Sequence, residues 1–123
     1  MRFLIKVSIP VEAGNEAVRQ GTIGETIGRI LSDLKPEAAY FTEEKGKRTG
    51  FLVVKLENAY QIPAVAEPWF LAFNAGVEFH PTMTPEDLQK AGPDIVKAAA
   101  TYGETDGNVT AGERLAGGGQ SRR

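Results

Sequence analysis

Residues Arg2 to Ile9 alternate strictly. Phe3, Ile5, Val7 and Ile9 fall on one side, and Arg2, Leu4, Lys6 and Ser8 on the other. This period of two predicts a strand, which Pro10 terminates. From Val11 to Leu34 the period changes. Ile23, Ile27, Ile30, Leu31 and Leu34 recur at helical spacing, so one helix is expected, with Gly14-Asn15 marking a possible later start near Glu16. Ala17, Gly21, Gly24 and Gly28 form a stripe of very small residues beside it. Each glycine weakens a helix by about 1 kcal/mol against alanine, and close approach of a neighbouring backbone would offset that. A phosphate-binding loop is the weaker reading, because the G-x-G-x-x-G spacing is missing.

Lys35-Pro36 stops the helix. Ala38–Glu43 and Arg48–Glu57 then read as two strands joined by the short glycine-bearing turn Glu44-Lys45-Gly46-Lys47, which is an antiparallel hairpin. Ile62, Val65, Ala66, Trp69, Phe70 and Phe73 trace a second helix over Ile62–Phe73. Pro68 is expected to interrupt it, and Asn74-Ala75-Gly76 to end it with a glycine cap. Val77, Phe79 and Met83 alternate with Glu78, His80 and Thr82 in a fourth strand, Val77–Met83. Thr84-Pro85-Glu86-Asp87 opens a further helix: a capping hydroxyl, a proline suited to the first position, and two acids at the positive end of the dipole. Gly92-Pro93 must break or kink it.

The order strand, helix, hairpin, helix, strand is the split βαβ arrangement termed ferredoxin-like, an α+β fold of βαββαβ order. It has a four-stranded antiparallel sheet in the order fourth, first, third, second, and both helices on one face. Phe3, Ile5, Val7, Leu52, Val54, Leu56, Val77 and Phe79 should face those helices. Leu4, Lys6, Ser8, Tyr40, Phe51, Val53, Lys55, Glu78, His80 and Thr82 should occupy the other face. A bare face holding Leu4, Phe51 and Val53 needs a cover.

Length and composition narrow the possibilities further. With 123 residues and a formal charge of −2, the chain suits one domain of about 1–102 and gives no electrostatic reason to expect nucleic acid or an anionic membrane. The absence of cysteine removes disulfides, thiolate metal sites and cysteine nucleophiles. One histidine and scattered carboxylates make no recognisable metal-ligand spacing, and no cofactor motif is present. Lys6 and Ser8 interrupt the first apolar run too early for a signal-peptide core, so a cytoplasmic location is the expectation. From Gly103 to Arg123 the chain is polar and glycine-rich, and is expected to be a flexible tail.

Three segments carry a resemblance: Met1-Arg2-Phe3-Leu4-Ile5, the aromatic helix Trp69-Phe70-Leu71-Ala72-Phe73, and Val77-Glu78-Phe79-His80-Pro81-Thr82-Met83 with its T-P-E-D helix start. Over roughly its first hundred residues, in the size range of a single domain, the chain resembles the dimeric α/β-barrel superfamily. Antibiotic-biosynthesis monooxygenases, muconolactone isomerases and many uncharacterised bacterial families share that fold. The resemblance implies a homodimer whose two sheets pack face to face around a pocket for a small organic ligand. It does not select an activity, since the fold hosts many.

His80 is the only imidazole available for acid–base chemistry, with Glu78 two residues away on the same face. These two are the candidate catalytic residues. Lys6, Tyr40, Phe51 and Lys55 are candidate ligand-binding residues, and Lys6 is expected to pair with Glu78 across the sheet. A small-molecule binding module and a cofactor-independent isomerase or monooxygenase both fit this set. An RNA-binding reading also has the right element order, and Gly50-Phe51-Leu52 echoes the third-strand motif of the RRM. Thr49 and Val54, however, stand where stacking aromatics are required.

Overall fold

A computed structural model describes residues 1–103. The tail expected from Gly103 onward lies, from residue 104, outside the described residues. The chain divides into two compact units, Met1–Thr82 and a second that starts at Met83.

The first unit runs β1 (Arg2–Ile9), α1 (Val11–Arg19), α2 (Ile23–Leu34), β2 (Ala38–Glu44), β3 (Lys47–Lys55), a 3-10 turn at Ala59–Gln61, α3 (Ile62–Phe73) and β4 (Gly76–Thr82). All strand pairs are antiparallel, in the order β2-β3-β1-β4. This is an α+β architecture with the two longest apolar strands, β1 and β3, in the middle. Ile5, Val7, Ile9, Leu52 and Val54 from those strands pack with Ile30 of α2 and with Val65, Trp69 and Phe73 of α3. Phe3, Val77 and Phe79 close the β4 side of this core, with the Phe3 and Phe79 rings edge to face at 6.1 Å. Each of the helix-facing residues expected from strand parity therefore lies in or against the core.

The hairpin turns on Lys45 and Gly46, both at positive φ (55° and 77°). Two such residues make a tight turn whose twist matches that of the strands it joins.

The single helix expected over Val11–Leu34 is two helices. Gly21 adopts φ +71°, its N–H donates to the Val18 carbonyl, and the N–H of Thr22 donates to the Ala17 carbonyl. That pair of bonds is a Schellman termination, which glycine favours at this position. Nor does the helix wait until Glu16: α1 starts at Val11, directly after Pro10. The small-residue stripe is not a close-packing seam either. A Cβ at Gly21, Gly24 or Gly28 would meet nothing within 4 Å. Among the glycines of α1 and α2, the one that meets a neighbour is Gly14, where an added Cβ would lie 2.5 Å from Nη1 of Arg48.

Pro68 does not interrupt α3, which is continuous from Ile62 to Phe73. The lost backbone bond is outweighed by the burial of Val65, Ala66, Trp69 and Phe73 along one side. At its end, the left-handed residue is Asn74 (φ 52°) and not a glycine. Gly76 instead opens β4.

In the second unit, Thr84 caps α4 (Pro85–Lys90). Its hydroxyl accepts from the Asp87 N–H, and the Asp87 carboxylate accepts from the Thr84 N–H, both at 3.1 Å. The helix ends at Ala91, before Gly92-Pro93, and α5 (Gly92–Tyr102) follows. Met83, expected on the core side of β4, is 62% exposed, because β4 ends at Thr82 and the alternation of faces ends with it.

Candidate functional site

Strand parity places the candidate residues together on the sheet face turned away from the core. The register arranges them in rows. Tyr40, Phe51, Lys6 and Glu78 form one row across β2, β3, β1 and β4. Ala38, Val53, Leu4 and His80 form the next. Lys55 stands a further row away, opposite Arg2 at the end of the sheet. Leu4, Phe51 and Val53 are half-buried, while Tyr40 and Lys55 are exposed.

Lys6 lies directly opposite Glu78 but does not form its ion pair with it. Its ammonium pairs with Glu44 of β2. The reason is reach: a lysine stem spans a neighbouring strand, and Glu44 shares the face of Tyr40 and Thr42 at the far end of β2. By register, Thr49 sits between the two partners, and it is buried to 2% exposure. The Lys6–Glu44 bridge thus roofs one end of the face. Glu44, through its hydrogen bond and charge, holds the Lys6 ammonium above its ordinary pKa, and Glu78 adds a smaller pull in the same direction. Lys6 in turn lowers Glu44 below the usual carboxylate range.

A second cation follows the same course. Arg2 also belongs to β1, and its guanidinium binds both carboxylate oxygens of Glu37, just ahead of β2, at 2.8 and 3.1 Å. That bidentate contact lowers the Glu37 pKa.

Glu78 is left with His80. Glu78 Oε1 lies 3.2 Å from His80 Nε2, and the two side chains are 58% and 54% exposed. Spacing of two along a strand puts both on one face, which is why they meet. When Nε2 carries its proton it donates to Glu78, leaving Nδ1 as an acceptor. Thr82 steadies the strand at this point: its hydroxyl accepts from the Leu4 N–H at 2.9 Å and donates to the His80 carbonyl at 2.7 Å.

Sequence reasoning located His80, Glu78, Lys6, Phe51 and Tyr40 on this face, but missed Glu44 and Thr82 as working parts. Glu44 was legible by parity once β2 is carried one residue beyond Glu43.

Among the described residues, no three His, Cys, Asp or Glu side chains are placed to hold a metal ion, and no helix is long and apolar enough to cross a membrane. No protein-family model matches this chain, and no curated protein matches it in sequence.

Proposed function

We propose that this chain is a ferredoxin-like domain that pairs face to face with a second copy and holds a small organic ligand between the two sheets. The observation that carries this reading is the open face itself: Leu4, Phe51 and Val53 side by side in the register, half-buried, and flanked by Lys6, Glu78 and His80. The three helices of the first unit pack on the opposite side, through Ala17, Ile30, Val65, Trp69 and Phe73. A second sheet laid on this face would remove the apolar patch from water while enclosing polar groups able to orient a ligand. Opposite charges sit near one another on the same surface, which suits a self-complementary interface.

A second reading makes the same pocket the site of a cofactor-independent isomerase or monooxygenase-like enzyme. The 3.2 Å contact between His80 and Glu78 favours it, because a carboxylate that fixes an imidazole tautomer leaves the other ring nitrogen available as a base. The RNA-binding reading has less support. The third-strand position where a stacking ring would be needed holds Thr49, which is buried.

Native mass spectrometry of the purified protein tests the principal reading. It predicts a dimer that carries a small molecule released on unfolding. A bare monomer would contradict it.

A further inference from the structure

Both long cations of β1 turn the same way. Lys6 crosses β3 to Glu44, and Arg2 crosses it to Glu37, so the positive charge of the central strand is committed to acids on the β2 side of the sheet. Glu78 stands on β4, at the opposite edge, with His80 as its hydrogen-bond partner. The sheet register puts the stem of Lys6 across from Glu78 while its ammonium is engaged beyond β3. Lys55 does not make good the difference. It lies beside Arg2, four residues along the sheet from the Glu78 row, or about 13 Å at the usual strand rise. At the β4 side of the face, therefore, Glu78 stands diagonal to Leu4, with Val53 beyond it, and among the described residues no Lys or Arg forms an ion pair with this carboxylate; Lys6 acts on it only at longer range.

Resting on the ligand-binding reading above, we infer that the ligand is an apolar molecule bearing a protonated amine, with its ammonium on Glu78 and its hydrocarbon part on Leu4 and Val53. On this side of the face a carboxylate or phosphate ligand is disfavoured, because the Lys6 ammonium and the Arg2 guanidinium would each have to leave an acid they already hold, and Lys55 stands at the far end of the sheet. An ammonium needs no such exchange. It meets an exposed carboxylate that accepts a charge-assisted hydrogen bond, and closure of the dimer around it strengthens that contact by excluding water. His80 then acts as a positioning residue that orients the carboxylate.

Benzylamine, benzyl alcohol and benzoate share one ring and differ in the charge of the attached group, so they serve as probes. Each is titrated into the full chain while the His80 ring and Leu4 methyl resonances are followed by NMR, with sedimentation run on the same samples. Benzylamine should give saturable shifts at both residues with at least about tenfold higher affinity than benzoate, the scale of one charge-assisted contact. The preference should vanish in Glu78→Gln and survive in Glu25→Gln, which removes an exposed carboxylate of α2 away from this face. Benzoate binding as tightly as benzylamine, or undiminished benzylamine binding by Glu78→Gln, would overturn the inference while leaving the ligand-binding dimer in place. A dimer that binds none of the three would also overturn it. A chain that sediments as a monomer and binds none of them would remove the underlying reading as well.

Discussion

The ammonium of Lys6 reaches across β3 to the carboxylate of Glu44, although Glu78 is its direct neighbour in the sheet. This choice puts the ion pair on the β2 side of the open face and leaves Glu78 with His80 as its hydrogen-bond partner on β4. It also sets a pH signature. Glu44 has a folded-state pKa below its ordinary 4.5, so its contribution to stability is present above that value and is lost as pH falls through the folded value. Lys6 is shifted upward from 10.5, so its contribution is full below that value and is lost as pH rises through the folded one. Urea melts across pH should therefore show both an acid and an alkaline loss attributable to the pair. Lys6→Met should diminish both. An unchanged pH profile in that variant would count against the bridge.

Glycine substitutions should separate by backbone geometry. Gly28→Ala, in the interior of α2 with open space around it, should stabilise by about 1 kcal/mol. Gly21→Ala should destabilise by about 1 kcal/mol, since φ +71° is a left-handed conformation that strains any Cβ. Thermal melts of the two variants should move in opposite directions.

These glycines show where the chain is readable and where it is not. Strand β1 and helix α3 have the bounds that their periodicity predicts, and the Thr84 cap forms as its residues dictate. Alternation also sorts the two faces of the sheet correctly, which brings Glu78 and His80 together. The glycine stripe misleads because composition alone does not distinguish a residue needed for positive φ (Gly21) from one tolerated in an exposed helix (Gly28). Pro68 misleads because its local penalty is set against the burial of Trp69, a tertiary term absent from local pattern. Lys6 misleads because register fixes a Cα neighbour while a long side chain selects its own partner.

Phe79→Ala and His80→Ala, adjacent in β4, should fail differently. Phe79 packs edge to face on Phe3 but is only partly buried, so its truncation should cost about 2–3 kcal/mol, below the range for a fully buried ring. His80 is exposed, and His80→Ala should melt like the wild type while losing ligand retention. Equal ligand retention by His80→Ala and wild type would make the histidine dispensable and remove the enzyme reading.

Thr82→Val should cost about 1 kcal/mol, because the Leu4 N–H and the His80 carbonyl would both lose the hydroxyl that joins them. Hydrogen exchange at the Leu4 amide should accelerate in that variant. Exchange as slow as in the wild type would show that the hydroxyl bond does not hold the strand there.

The central claim is that Leu4, Phe51 and Val53 are covered by a second copy of the chain. Sedimentation equilibrium at micromolar concentration tests it most directly, comparing the wild type with Val53→Asp, a substitution on the open face and outside the core. The account predicts a dimeric wild type and a folded, monomeric Val53→Asp. A wild type that sediments as a monomer at that concentration would contradict it.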